Sequence, residues 1–309
     1  MESKDQHGTD VRSQSAQEQQ EPRPTLEKPT VIETVTERRK KVSEEKRPLL
    51  EGQAIYSMCL RELIRFFRMK TRTISAIVSP FTWMILFGLP LSRLFPSGNI
   101  FGGLPFFAFV VPGILGMGLL FSGTNSGVTV LWDKEFGFLK EVMVAPVRRT
   151  SLMLGRSLGA MVIAMFQGLL TIGIALIFGM WFGFHIVSAV GFLLALGFMV
   201  VTFLTFVGFG LTLGALIEGT EGFMSLVSMI EMPLFFLSGG MFPVNQVKGI
   251  PVLYQIQFVN PLTYGVDGIR GALTGVYLMS PYLDFAVIAS FALFFLFLGT
   301  YSFTKMEVG

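Results

Sequence analysis

The sequence predicts an all-α membrane protein: six transmembrane helices, an amphipathic N-terminal interfacial helix, a cytoplasmic helix after span 2 and a re-entrant extracellular segment between spans 5 and 6. Three observations carry that prediction. The 309 residues are 51% hydrophobic and 15% charged, against about 25% charged in an ordinary soluble domain, and the mean hydropathy is +0.61. Uncharged apolar stretches recur at a length near the roughly 20 residues that a bilayer-crossing helix needs. The charge is concentrated outside them, with ten of the 24 Lys and Arg in the first 50 residues.

Residues 1–50 are rich in Glu, Gln, Lys, Arg and Pro and contain no Phe, Trp or Tyr. Such a composition buries too little apolar surface to offset chain entropy, so this segment reads as a disordered cytoplasmic tail and residues 51–309 as the membrane domain. No apolar region follows a basic N-terminus, so no cleaved signal peptide is indicated. From 52 to 70, Tyr56, Leu60, Leu63, Ile64 and Phe67 recur at helical spacing, with Ser57, Arg61, Arg65 and Arg68 on the other face. That pattern predicts an amphipathic helix lying on the inner membrane surface; the alternative is the first turns of a long span.

Span 1 is expected from Thr73 to Ser92. Leu94 to Trp132 is again uncharged but too long for one helix, and Pro96, Gly98, Gly102 and Pro105 mark a turn before span 2. The run Ser157 to Ile217 divides near Trp181–His185 into spans 3 and 4. Span 5 is expected from about Gly222 to Met241 and span 6 from about Phe285 to Thr304. Between those two, Phe242 to Asp284 is longer than a loop needs to be and holds Pro243, Pro251, Pro261 and Pro281. Short helices dipping into the outer leaflet are expected there, with any irregular backbone buried in protein. Lys and Arg near span ends divide eleven against three, which places both termini in the cytoplasm and requires an even number of spans.

Several chemistries lack their residues. Cys59 is the one cysteine, and His7 and His185 are the two histidines, too few for a Cys or His metal centre. No Gly-Lys dipeptide occurs, so there is no Walker A loop. Gly155-Arg-Ser157-Leu-Gly159 spells the string of a hydrolase nucleophile, but a nucleophile elbow needs a strand before its helix, and here the string opens span 3. No catalytic residue is assigned.

Four sets of residues stand out as functional candidates. After span 2, Phe138, Leu139, Val142 and Met143 form an apolar ridge one turn long that Pro146 ends; a docking helix and a plain basic anchor loop both fit it. Glu231 sits near the middle of span 5, where a charged carboxylate costs about 2.5–3.5 kcal/mol on insertion scales, making it a functional candidate by default. It reads as lining a substrate route, with a structural hydrogen bond to a neighbouring helix as the alternative. Asn125 lies in a run of small polar residues on span 2 and joins the route or, more simply, a close helix contact. Asp267 and Arg270 are three apart on a helix turn and can pair.

The residues around these candidates carry a family resemblance. Glu135-Phe-Gly137-Phe-Leu139, then Pro146 and Arg149, is similar to the Glu-x-Gly-x-Leu, Pro and Arg pattern of the type-2 ABC transporter permease family. Asn260-Pro261-Leu-Thr-Tyr264-Gly-Val-Asp267-Gly-Ile-Arg270 resembles its Asn-Pro-x-x-Tyr-x-x-(Asp/Glu)-x-x-Arg pattern, and Leu237-Ser238-Gly239-Gly240 resembles its Ser-Gly ending of span 5. The resemblance covers roughly residues 55–305; the long polar head departs from it. It implies the membrane subunit of a drug, lipid or polysaccharide exporter in the cell membrane, pairing as a homodimer and with two copies of a separate ATPase subunit. ATP and Mg would then be bound by that partner and no cofactor by this chain. Glu135 to Arg149 would be the coupling helix received by the ATPase. A proton-coupled secondary transporter working through Glu231, or a non-transporting scaffold, are the competing readings from the residues alone.

Overall fold

The computed structural model describes residues 51–95, 101–135, 149–217, 219–243 and 250–305, and these are helical with no strand among them. They all lie in the compact unit Arg47–Gly309. The expected N-terminal tail lies outside the described residues.

Helix α1 covers residues 51–68 and ends where Met69 leaves helical torsions (φ −86°, ψ 84°) before α2, Lys70–Trp83. The amphipathic segment is therefore a helix of its own and not the start of span 1. Its apolar stripe of Tyr56, Leu60, Ile64 and Phe67 is exposed, while Glu62 and Phe66 are buried, so the face that carries Glu62 turns toward the bundle. Span 1 continues from α2 through a π-helical turn, Met84–Gly88, into α3, Leu89–Leu94. Pro90 has no N–H to give to a carbonyl four residues back; the Leu89 N–H bonds Met84 O, five back.

The expected second span is two helices, α4 (Phe106–Thr124) and α5 (Ser126–Glu135), broken at Asn125. Helix α6 (Arg149–Phe182) and helix α7 (Ala189–Leu216) are separated at Gly183, where φ is +77°, and Ser188 caps α7 by accepting from Gly191 N. Then come α8 (Thr220–Phe236), α9 (Pro251–Val259), α10 (Pro261–Thr274) and α11 (Pro281–Lys305). Among the described residues, five stretches are long and apolar enough to cross a membrane: Thr73–Leu94, Phe106–Thr129, Ser151–Phe182, Ala189–Leu216 and Pro281–Ser302. The expected fifth span, α8, has 17 residues and falls short of that length. It stops before the expected Met241 because Leu237–Gly240 turn out of the helix, with Gly239 at φ +70°.

Helix α8 runs antiparallel to α4 and α5. Phe223 packs at Gly127, Glu231 bonds Thr124, and Gly240 meets Gly113 so closely that a side chain at Gly113 would strike its carbonyl. The space beyond its last turn is filled by α10, which is buried along almost its whole length against α4, α7 and α11. At the far end of α10, Leu273 O accepts from Val187 N in the α6–α7 loop. The chain thus leaves the α7–α8 junction and reaches, by 273, the end of the bundle where that earlier loop sits.

Candidate functional site

The Asn260–Arg270 motif is a clasp. Asn260 caps α10 by accepting from Leu262 N with Oδ1, while its Nδ2 donates to Leu234 O in the last turn of α8. Pro261 takes the first helical position, where a missing N–H costs nothing. Tyr264 OH donates to Phe258 O and Thr263 Oγ1 to Gln257 O, folding α9 back on α10. Arg270 is 1% exposed. It donates to Gly239 O at 2.8 Å, and to Phe109 O and Asp267 Oδ1 at 3.4 Å each, with its guanidinium over the Phe109 ring at 3.9 Å. Asp267 accepts from Leu278 N and from Met279 N at 2.8 Å. The expected Asp267–Arg270 pair is present, and every polar atom named here is engaged within the protein.

The Ser-Gly turn after α8 completes the clasp. Only glycine readily holds the positive φ of Gly239, and its carbonyl is the acceptor for Arg270. The second close approach, Gly113 to Gly240, brings this turn onto α4. Sequence spacing exposed the Asp267–Arg270 pair but not these partners, because a carbonyl at 109 or 239 carries no local signal for a side chain at 270.

The two expected pathway residues are neighbours of one helix break, yet they face different surroundings. Glu231 is 8% exposed and bonds the Thr124 hydroxyl. Asn125, one residue on, donates from Nδ2 to Phe121 O at 2.6 Å and lines a cavity of about 390 Å³ between α2, α4, α5 and α6, with Met224 of α8 at its edge. Ser75, Ser79, Ser122, Thr129, Gln167 and Thr171 give that cavity a scattered polar lining on an apolar wall of Met69, Leu115 and Trp132. Its volume lies within the 300–1,000 Å³ of small-molecule pockets, and such linings suit amphipathic ligands. Glu231 is not part of this wall.

Of the expected docking segment, Glu135 ends α5 and Arg149 opens α6; Gly137, Phe138, Leu139, Val142, Met143 and Pro146 lie outside the described residues. Helix α5 runs past the expected Trp132 boundary by one turn. The Gly155-x-Ser157-x-Gly159 string is a packing surface: a Cβ on Gly155 would meet Ile55 O at 2.7 Å and one on Gly159 would meet Glu62 Cβ at 2.8 Å. No group of three or more His, Cys, Asp or Glu is gathered for a metal among the described residues.

Residues 53–274 match the ABC-2 type transporter family. The chain belongs to that family. Among its relatives, a chain from Cyanophora paradoxa named as transport permease ycf38 is 26% identical over 220 residues, covering 71% of this chain and 73% of the relative. A multidrug ABC transporter permease of Escherichia coli K12, YbhR by name, is 28% identical over 164 residues, 52% of this chain and 42% of its own. The doxorubicin resistance permease named DrrC in Mycobacterium tuberculosis is 24% identical over 233 residues, 74% and 79% respectively. The ABC-2 match takes in all three sequence motifs and the helix break at Asn125.

Sequence reasoning missed Asp284. It placed span 6 from Phe285, whereas α11 begins at Pro281 and takes Asp284 into its first turn. The signal was available: Ser280 before Pro281 is an N-cap followed by the residue preferred at the first helical position.

Proposed function

We propose that this ABC-2 chain is the permease subunit of an exporter that moves a hydrophobic or amphipathic substrate out of the cell, driven by a separate ATPase. The observation that carries this reading is the family match over residues 53–274, which includes the segment from Glu135 to Arg149. Relatives named for multidrug transport and doxorubicin resistance support a drug-like or lipid-like substrate. The polar-dotted cavity beside Asn125 is the candidate entry for such a molecule. Glu231, held by Thr124 next to Asn125 but outside the cavity wall, joins this route in the transport cycle and favours cationic amphiphiles over anionic ones.

In this reading six spans cross the membrane with both termini cytoplasmic, α8 and the clasp together making the fifth crossing. The return of the chain to the α6–α7 loop by Leu273 supports that count. Two copies of the chain pair with two ATPase subunits. The coupling ridge of Phe138, Leu139, Val142 and Met143 seats in the ATPase, whose ATP-driven closure tilts the spans and alternates access.

Copurification with an ATPase, followed by ATP-dependent uptake of cationic and neutral amphiphiles into inverted vesicles, tests the reading. Uptake that needs ATP and the partner is expected. Uptake driven by a proton gradient without ATP would replace it with a secondary transporter, and no uptake together with no partner would leave a scaffold.

A further inference from the structure

The junction between α10 and α11 holds two carboxylates and one cation, and only one carboxylate is provided for. Asp267 has its partners: it accepts from two backbone amides and from Arg270. Asp284 is 0% exposed, and both its carboxyl oxygens are buried without a hydrogen-bond partner. It sits in the first turn of α11, where the helix dipole favours an anion, but neither oxygen takes one of the free amides there. Asp267 holds the amides of Leu278 and Met279 in the loop that leads into α11, so its charge acts on Asp284 from the start of that helix. Two carboxylates cannot bond, since each is an acceptor only; one proton between them supplies the missing donor.

Among the described residues, the surroundings offer no other counter-charge. Arg270 is already engaged by Asp267, Gly239 and Phe109. Tyr264 and Tyr277 are the other titratable groups within electrostatic reach; both are neutral at ordinary pH. Helix α7, the main packing partner of α11, has no titratable residue between Ala189 and Leu216, and α6 has Arg156 alone beyond its first turn, toward its other end. An isolated buried carboxylate is costly enough that such groups take up a proton instead, and a second carboxylate sharing the site adds to that preference.

We propose that Asp284 and Asp267 form a proton-binding site, with one proton carried on Asp284 and shared with Asp267. Loading forms the O–H bond on Asp284 and the hydrogen bond to Asp267. Unloading passes that proton to a solvent base and leaves two facing carboxylates. The charge so created pushes α11 from the loop at Leu278 and Met279, which Asp267 holds. The site ties the clasp to the last helix and takes a proton, not a metal: two carboxylates with an Arg among them are a poor cation cage.

The full chain in lipid nanodiscs serves for the test, with Asp284→Asn as a stand-in for the loaded state, because the amide can donate where the protonated carboxyl does. The native state binds one more proton than the unfolded chain, so wild-type folding is favoured at mildly acidic pH and lost as pH rises. The folding equilibrium falls about tenfold per pH unit relative to Asp284→Asn until the site is empty. The variant is expected to be at least as thermally stable as wild type at neutral pH. Infrared spectra should show a protonated carboxyl band in wild type that Asp284→Asn removes. Parallel pH profiles, a variant that fails to fold, or no such band would each overturn the proposal. Stabilisation by sodium that Asp284→Asn abolishes would also overturn it, assigning the site to a metal cation.

Discussion

Arg270 joins four parts of the chain: the turn after α8 through Gly239, α4 through Phe109, its own helix through Asp267, and, through Asp267, the loop into α11. Removing the guanidinium would leave Asp267 buried without its cation, a loss of about 3–5 kcal/mol for a broken buried pair. Arg270→Ala is therefore expected to lower thermal stability in nanodiscs strongly, and Arg270→Lys to rescue only part, because a single ammonium cannot reproduce the fork. A loss below about 1 kcal/mol, the scale of a surface pair, would show that the clasp does not depend on it. Glu231 calls for a different measurement. Its bond to Thr124 survives in Glu231→Gln, so stability should change little while the export ratio of cationic to neutral amphiphiles falls. An unchanged ratio makes Glu231 a structural residue.

At the scale of elements, helix contacts were set by glycines that the sequence could not rank. Gly123/Gly127, Gly155/Gly159 and Gly210/Gly214 are weak patterns in a chain with 34 glycines, yet all six sit where a neighbouring chain segment approaches within van der Waals distance. Leucine at 159 is expected to cost about 1–3 kcal/mol by overpacking and to lift α1 from α6. Cys59, half-buried beside Gly159, should then react several-fold faster with a small maleimide; an unchanged rate would mean α1 is held elsewhere. The apolar runs made five long helices and α1 legible, since hydropathy and amphipathic period are local properties. The break at Asn125 was not legible, because it depends on which helix packs alongside, whereas the early end of α8 was signalled by the Ser238-Gly239-Gly240 turn. The ridge after span 2 lies outside the described residues and remains a proposed docking surface; Leu139→Asp with Met143→Asp should abolish ATPase copurification while insertion persists. Retained binding with substrate-stimulated ATPase activity would end that assignment.

For the whole molecule, everything turns on parity. Among the described residues five helical stretches are long enough to cross, and α8 with 17 residues spans about 26 Å at 1.5 Å per residue, short of a hydrocarbon core of roughly 30 Å. If α8 stopped inside the membrane and turned back, Lys248 would share a side with the α7–α8 junction and the C-terminus would lie opposite the N-terminus. The contacts argue otherwise. The α6–α7 loop and the α7–α8 junction lie at opposite ends of α7, and Val187 in that loop bonds Leu273. The chain therefore covers the length of the bundle between residues 219 and 273, with the buried turn at 237–241 and α10 continuing what α8 begins. In the proposed six-span reading, crossing by a short helix plus a buried clasp satisfies the backbone at depth, as a lipid-exposed loop would not. In a Cys59→Ser background, single cysteines at 140, 248 and the C-terminus are expected to label with an impermeant reagent on intact cells only at 248. Labelling at the C-terminus with none at 248 would establish five crossings and move the clasp, with Asp267, Arg270 and Asp284, away from the outer surface.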